Sequence, residues 1–132
     1  MLDVSNFKTI NDGLGHAAGD EALVQVGAAI AGALRAGDEV FRWGGDEFAV
    51  LLPHTAAAEA EVVAERIHAA LHARRVGGLP LQVTVGVAGT LPGETPDGDA
   101  LLRRADAAMY RAKREEKRLK RPAPTAAPAA AP

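Results

Sequence analysis

The order of the predicted elements indicates an α+β or α/β domain, in which helices cover one mixed sheet. Apolar residues recur every three or four positions in three separate stretches, which predicts three amphipathic helices. Two short β-prone runs flank a Gly-Gly-acidic turn and predict a hairpin, and a later stretch alternates like a strand. Helix, hairpin, helix, strand and helix, in that order, are typical of this class of fold.

Length and composition are those of one globular domain. The chain has 132 residues, of which 48% are hydrophobic and 24% charged, and its mean hydropathy is −0.03. No apolar run approaches the roughly 18 residues of a membrane span and no signal-peptide pattern follows Met1, so we expect no membrane segment. Cysteine is absent, which excludes disulfides, a thiol nucleophile and cysteine-ligated metal centres. These features favour a cytoplasmic protein.

The first residues predict the end of a strand that leads directly into a short helix. Residues 1–4 are apolar apart from Asp3, as in a buried strand. Either Ser5 or Asn6 can act as the N-cap of the helix that follows. The turn at residues 13–15, Gly-Leu-Gly, ends this helix.

A second helix is predicted to open at Gly19-Asp20-Glu21, where the helix dipole favours negative charge. Gly37 follows closely and can end it. Its apolar stripe consists of Leu23, Val26, Gly27, Ile30 and Leu34.

The rest of the domain contains a hairpin, two helices and a strand. The hairpin strands are predicted at residues 39–43 and 48–53, and a strand at residues 81–88. Helices are predicted at residues 56–75 and 99–120. The inner face of the first of these helices contains Val62, Val63, Ile67 and Leu71.

Charge is distributed unevenly along the chain. Residues 111–121 contain seven basic and two acidic side chains, whereas the remaining chain has eight basic and 15 acidic ones. This asymmetry fits a fold that gathers carboxylates in one place and cations in another, although a solvated basic helix end explains it equally well. Residues 122–132 contain only Pro, Ala and Thr, and we expect a disordered tail after a domain of residues 1–121.

The acidic turn of the hairpin is a candidate metal site. Two adjacent carboxylates, Asp46 and Glu47, repel each other, and the preceding Gly44 and Gly45 leave room for a ligand near the backbone. Asp3 ends the first strand, and the three carboxylates converge if that strand lies beside the hairpin. Magnesium typically takes one or two carboxylates plus substrate phosphates. The alternative is a solvated acidic turn without a ligand.

A phosphate site is predicted beside these carboxylates. The chain passes from Asp3 into a helix N-terminus at residues 5–8, where free backbone N–H groups and the helix dipole attract anions. No glycine-rich loop ending in Lys-Ser/Thr is present, so the sequence does not favour a P-loop NTPase.

Four segments that follow one another along the chain carry a family resemblance. They are residues 3–12 (DVSNFKTIND), 15–20 (GHAAGD), 42–48 (RWGGDEF) and 105–113 (ADAAMYRAK). Together they resemble the GGDEF domain family of diguanylate cyclases, and the similarity extends over residues 3–118.

The resemblance implies an α+β fold with a mixed, mainly antiparallel sheet, related to nucleotidyl cyclases and polymerase palms. It also implies that two such domains form a homodimer, each holding GTP with magnesium or manganese, and make cyclic di-GMP and pyrophosphate. Asp3, the carbonyl of Val4 and Glu47 are then expected to ligate the metal. Asp46 is expected to assist deprotonation of the attacking 3′-hydroxyl and to touch the metal. Asp46 and Glu47 are therefore the expected catalytic pair.

The same resemblance implies substrate contacts. Asn11 and Asp20 match the guanine-reading positions, although local capping explains either residue equally well. Backbone amides near Phe7 and Lys8 are expected to hold the β- and γ-phosphates, and Gly44 and Gly45 are also expected to bind substrate. Lys113 and Lys117 are expected to reach those phosphates from the last helix.

An inhibitory site is implied at Arg35 and Asp38, which match the family's R-x-x-D site for the product, cyclic di-GMP. Arginine can donate two hydrogen bonds to guanine O6 and N7.

His68 and His72 are four residues apart, but we expect a solvated or half-buried helix face there rather than a metal site. Trp43 is expected to pack at the hairpin.

Two departures from the family pattern stand out. Ser5 replaces a second acidic residue, and Glu115-Glu116-Lys117-Arg118 replaces the family's usual Gly-Arg-Asn, with Lys117 at the position of a phosphate-contacting arginine. Arg118 is a candidate substitute, and Glu116 is expected to oppose phosphate binding.

The resemblance further leads us to expect that a helix, most of the first strand and a sensor domain are missing upstream of Asp3. The alternative function is an inactive GGDEF module that binds cyclic di-GMP or GTP as a receptor. We expect no nucleic-acid partner. Aromatic residues make up only 4% of the chain, which disfavours a stacking platform for single strands, and the triphosphate role that the resemblance implies for the last helix accounts for some of its basic charge.

Overall fold

The first strand lies inside a four-stranded antiparallel sheet. A computed structural model describes residues 1–121, and the tail predicted at residues 122–132 lies outside the described residues. In the sheet the strand order is β2-β3-β1-β6, and every neighbouring pair is antiparallel. The α+β prediction is therefore confirmed. The elements are β1 (Leu2–Val4), α1 (Phe7–Leu14), α2 (His16–Ala33), β2 (Glu39–Gly44), β3 (Glu47–Leu51), α3 (Ala57–His72), β4 (Arg75–Val76), β5 (Leu79–Pro80), β6 (Val83–Val85) and α4 (Gly98–Lys120).

The two faces of the sheet have different neighbours because side chains alternate along each strand. Leu2, Val4 and Val83 point to one face and are buried in a core shared with α2 and α3. Asp3 and Thr84 point to the other face, which α4 covers. One face of β1 thus stabilises the core, and the other presents a carboxylate to α4.

Helix α4 packs very closely against β6 at Gly86. A β-carbon at this position would overlap the backbone nitrogen of Met109 and the carbonyl oxygen of Ala105. Gly86 also donates its backbone N–H to the carbonyl of Met1 at 2.8 Å, which keeps it in register with the start of the chain. The absence of a side chain at Gly86 therefore sets how closely α4 approaches the sheet.

Two helices begin earlier than their apolar patterns indicate. Helix α2 begins at His16, after Gly15 with φ 90°, and not at Asp20, which lies in its second turn. Helix α1 continues through Gly13 and ends at Leu14, with Gly15 as its C-cap. Helix α4 begins at Gly98, and the Asp97 carboxylate accepts hydrogen bonds from the backbone N–H groups of its first turn.

The segment after α3 was predicted wrongly. Helix α3 ends at His72 and not at residue 75, and β4 and β5 form a small hairpin whose turn is Gly77-Gly78. Both glycines have positive φ, 54° and 82°, as a two-residue hairpin turn requires. Strand β6 is limited to Val83–Val85, because the residues before it belong to that hairpin and its connection.

Trp43 differs from its expected packing. It lies on the hairpin, but it is 55% exposed. The register of β2 and β3 shifts between Arg42 and Gly44, so Trp43 has no partner in the ladder. Trp43 thus lies at an irregular position of the hairpin and contributes to the lining of an apolar cleft.

Replacing Gly86 by alanine should destabilise the domain by about 1–3 kcal/mol, because the new methyl group must push α4 away from β6. The free energy of unfolding in urea measures this. Gly32→Ala is the matched control: Gly32 is exposed within α2 and has no neighbour within 4 Å of the added methyl group. This control should be neutral or slightly stabilising. Equal effects of the two substitutions would contradict the packing described for α4.

Candidate active site

A row of polar side chains crosses the sheet beneath α4. Glu47 on β3 and Thr84 on β6 are the direct Cα partners of Asp3 on β1. Directly opposed residues of antiparallel strands have β-carbons about 4.5–5.5 Å apart and project on the same side. Asp3 and Glu47 therefore place two carboxylates next to each other, an arrangement that is destabilising without a cation. Asp3 is also buried, with 8% exposure.

Lys113 supplies that cation from α4. Its Nζ donates to Asp3 Oδ2 at 2.8 Å, and the two side chains are 36% and 11% exposed. Burial alone lowers the pKa of Lys113, but the hydrogen bond to Asp3 and the charges of Asp3, Glu47 and Asp46 outweigh it and raise the pKa. The lysine ammonium is therefore hydrogen-bonded to Asp3 and lies in the negative field of Glu47 and Asp46.

A chain of hydroxyl groups extends the row to Glu116. Ser5 Oγ and Thr84 Oγ1 lie 2.9 Å apart, and Thr84 donates to Glu116 Oε2 at 2.9 Å. Sequence reasoning missed Thr84, although the alternation of residues 81–88 places it on the face opposite the valines. Glu116, expected only to oppose phosphate, anchors α4 to the sheet beside the residue that replaces the family's second acidic group.

The acidic turn is fixed to β1. Gly45, with φ 35°, forms the turn with Asp46, whose carbonyl accepts from the backbone N–H of Val4 at 3.1 Å. Arg42 donates from Nε and Nη2 to the Gly45 carbonyl at 3.1 and 2.8 Å. Arg42 belongs to the motif, but its role in holding the turn was not predicted. The Gly44-Gly45 backbone stays exposed, so a ligand can approach it.

The N-terminus of α1 carries no side-chain cap. Asn6 occupies the N-cap position, as one of the two alternatives predicted, but its amide nitrogen donates to the Pro80 carbonyl at 2.7 Å instead. The first-turn amides of Phe7 and Lys8 therefore receive no capping bond from a side chain. Amides in this position bind anions.

Asn11 and Gly19 bring α1 and α2 into close contact. A β-carbon on Gly19 would overlap the side-chain oxygen of Asn11, so the carboxamide lies directly over the helix, next to the exposed Asp20. Neither residue caps a helix, because Asn11 lies inside α1 and Asp20 lies in the second turn of α2. The capping alternative does not hold for these two residues.

Arg35 and Asp38 form a separate site, at the turn after α2. Asp38 Oδ2 accepts from the backbone N–H of Arg35 at 3.0 Å, and the guanidinium lies 3.7 Å from Asp38 Oδ1. Arg35 Nη2 also donates to Thr55 Oγ1 at 2.6 Å and to the Pro53 carbonyl. Gly37, with φ 92°, allows this tight turn. The arginine side chain remains 59% exposed and accessible to a ligand.

None of the remaining candidate residues on α3 and α4 forms a hydrogen bond or ion pair with Asp3, Glu47 or Thr84 within residues 1–121. Lys117 is exposed on α4, and Arg118 is paired with Glu115 at 2.6 Å rather than directed towards the row. His68 and His72 are exposed, as expected, and line a cavity of about 310 Å³ with Ser5, Gln82 and Glu116. A larger cleft of about 640 Å³ has a mostly apolar lining and includes neither Asp3 nor Glu47.

The row has the chemistry of a magnesium site but is not a preformed cage. Within residues 1–121, no three side chains among His, Cys, Asp and Glu are arranged as a ready metal site. Asp3 and Glu47 nevertheless offer two opposed carboxylates, and Val4 adds a carbonyl in the same strand. Magnesium commonly takes one or two carboxylates and completes its shell with water and phosphate. The donor set therefore fits magnesium that arrives with a phosphorylated ligand.

Comparison with known families matches residues 1–118 to the family described as "Diguanylate cyclase, GGDEF domain". Diguanylate cyclase DgcM of Escherichia coli K12 is 41% identical over 116 residues, which cover 87% of this chain and 28% of that protein. The chain thus spans little more than a quarter of this relative's length.

Solved structures agree with the family match. The GGDEF domain of YfiN (TpbB) from Pseudomonas aeruginosa has a TM-score of 0.78 and 44% identity, and the match covers 86% of this chain and 73% of that one. The GGDEF domain of DgcB from Caulobacter crescentus, in complex with c-di-GMP, has a TM-score of 0.76 and 33% identity, with 86% and 70% covered. This chain belongs to the GGDEF domain family of diguanylate cyclases. Of the helices in residues 1–121, none has both the length and the apolar character needed to cross a membrane.

Replacing Thr84 by valine should destabilise the domain by about 1–3 kcal/mol, because it removes the hydroxyl that joins Ser5 to the charged Glu116. Thermal or urea unfolding measures the change. Thr90→Val, at an exposed loop position, is the matched control and should change stability by less than about 0.5 kcal/mol. If Thr84→Val were as stable as the parent, the hydroxyl chain would not hold α4.

Proposed function

We propose that this domain is the catalytic domain of a diguanylate cyclase, which condenses two GTP molecules into cyclic di-GMP and pyrophosphate. One observation carries the proposal: the opposed carboxylates of Asp3 and Glu47 lie beside an open Gly-Gly turn. The uncapped N-terminus of α1 adds an anion site next to them. In a chain of this family, carboxylates and an anion site in this arrangement support magnesium-nucleotide chemistry.

Binding of the nucleotide is assigned to three groups of residues. The amides of Phe7 and Lys8 and the open backbone at Gly44-Gly45 hold the β- and γ-phosphates, and Lys113 and Lys117 add positive charge from α4. The Asp20 carboxylate accepts from guanine N1–H and N2–H₂, a donor pair that adenine lacks. Asn11, held over Gly19, contacts the same base.

The chemical step forms one bond and breaks one. The 3′-hydroxyl oxygen of one GTP attacks the α-phosphorus of the other, the bond to the bridging oxygen breaks, and pyrophosphate leaves. Asp46 accepts the hydroxyl proton. Asp3, Glu47 and the Val4 carbonyl would hold magnesium or manganese, which when bound supplies charge stabilisation to the attacking and leaving oxygens. A second identical step closes the ring.

The reaction requires a second copy of the domain. One domain holds one GTP, whose 3′-hydroxyl must meet the α-phosphate of a GTP held by another. A homodimer with two facing sites meets this requirement, and a symmetric pair is the commonest assembly of identical chains. Because GTP is an intracellular nucleotide, a cytoplasmic location follows from this function.

Replacing Glu47 by glutamine should lower cyclic di-GMP formation from GTP by about 100-fold, because one charged group at the reaction centre is neutralised. Chromatography of the nucleotides after incubation with GTP and magnesium measures the product. Glu39→Gln is the matched control, since Glu39 is exposed at the far end of the same hairpin. Equal rates for Glu47→Gln and the parent would contradict the assignment of this site.

Replacing Asp20 by asparagine should weaken GTP binding by about 10- to 100-fold, because the amide cannot accept both guanine donors. Competition between GTP and ATP, measured by calorimetry, reports the specificity. Glu21→Gln changes an exposed neighbour that bonds only to Gln25 among the described residues and should bind GTP as the parent does. Unchanged preference for GTP in Asp20→Asn would remove Asp20 from the base-reading site.

The second candidate function is a receptor for cyclic di-GMP without turnover. It is favoured by the preorganised turn of Arg35 and Asp38 and by the departures at Ser5 and Lys117. In this case the chain should bind cyclic di-GMP and form none, whereas the cyclase should do both, with the product acting as inhibitor. Calorimetry with the parent and Arg35→Ala tests the site. Equal binding by the two proteins would place the ligand elsewhere.

A further inference from the structure

The opposed carboxylates of Asp3 and Glu47 already have a positively charged neighbour, Lys113. Asp3 lies opposite Glu47 across β1 and β3, and the Lys113 ammonium lies 2.8 Å from Asp3 Oδ2. The charges of Glu47 and Asp46 also act on that ammonium. A single lysine thus compensates carboxylates from two strands and the turn.

We propose that Lys113 is a stand-in cation, which neutralises the carboxylate pair while no divalent ion is bound and competes with that ion. The inference rests on the proposed function, because it takes Asp3 and Glu47 as the metal-binding pair. A divalent ion brings twice the charge of the ammonium, so it displaces Lys113 from Asp3 when it binds. The displaced ammonium then needs a new anionic partner, which the triphosphate provides.

The structure allows Lys113 to move without moving its helix. One turn further along α4, Glu116 is anchored to Thr84, and one turn earlier Met109 packs on Gly86. Helix α4 is therefore fixed on both sides of Lys113. The lysine side chain is 36% exposed and has a flexible four-carbon stem, so its head group can turn from Asp3 towards solvent or a phosphate.

The displacement of Lys113 couples binding of the divalent ion to binding of the nucleotide. In the free domain, ion binding must first break the Lys113–Asp3 pair, which weakens the affinity for the ion alone. With nucleotide present, the released ammonium gains phosphate contacts that offset this loss. By linkage, the ion and the nucleotide should each strengthen the binding of the other.

Replacing Lys113 by methionine should therefore strengthen the binding of Mn²⁺ in the absence of nucleotide. The expected gain is at least about fivefold, the low end of typical coupling between two ligands. Calorimetric titration of the full 132-residue chain with Mn²⁺ measures it. The same variant should bind GTP more weakly, because the phosphates lose a cation.

Lys120→Met is the matched control, because it removes an equal charge from an exposed position near the end of the same helix. It should bind Mn²⁺ with the affinity of the parent. Lys113→Gln removes the charge but keeps a hydrogen-bond donor for Asp3, so it replaces the methionine variant if that protein does not fold. In both Lys113 variants, Mn²⁺ should raise the melting temperature by more than it does in the parent.

Mn²⁺ binding by the parent tests the proposed metal-binding pair, and the difference between the parent and the Lys113 variants tests the competition. Equal or weaker Mn²⁺ binding in the Lys113 variants, with clear binding by the parent, would overturn the competition and leave the metal-binding pair in place. An equal gain in Lys120→Met would overturn it too, because it would show a general effect of net charge. No Mn²⁺ binding by any of the proteins would overturn both the competition and the proposed metal-binding pair.

Discussion

The opposition of Asp3 and Glu47 across two antiparallel strands is the constraint on which the rest of the site depends. Two carboxylates in a partly buried row are unfavourable unless a cation lies between them. The fold supplies one from α4, a helix that begins nearly a hundred residues further along the chain. The close approach of that helix at Gly86 and its anchor at Thr84 hold Lys113 beside Asp3. The docking of the last helix thus supplies the positive charge that the two carboxylates need.

The segments around Asp3 are linked to one another as the proposed nucleotide site requires. The acidic turn is tied to β1 through the Val4 amide, so the turn and Asp3 cannot move independently. Helix α1 starts immediately after β1 and leaves its first amides without a side-chain cap. The apolar face of β1, meanwhile, is buried in the core with α2 and α3. One face of this three-residue strand therefore stabilises the domain, and the other places Asp3 opposite Glu47.

Much of this could be predicted from the sequence, and the failures have physical causes. The carboxylates at Asp3 and Glu47 were found because Gly44 and Gly45 mark a turn and Asp3 ends an apolar run. The start of α2 was missed because the small side chains of Ala17 and Ala18 give only a weak apolar signal, although Ala18 packs against the core. The β4–β5 hairpin was absorbed into neighbouring elements, although Gly77-Gly78 is a recognisable turn signal. Contacts such as Thr84 with Glu116 depend on how α4 is docked, which local patterns do not encode.

In the proposed function, nucleotide and divalent ion meet between β1, the acidic turn and the N-terminus of α1. Amide chemical shifts of ¹⁵N-labelled protein, recorded with magnesium and a non-hydrolysable GTP analogue, test this arrangement. We expect the largest changes at Phe7, Lys8, Gly44 and Gly45, with smaller ones at Asp20. Changes confined to residues lining the apolar cleft, such as Val87 and Gly89, with these amides unmoved, would contradict it.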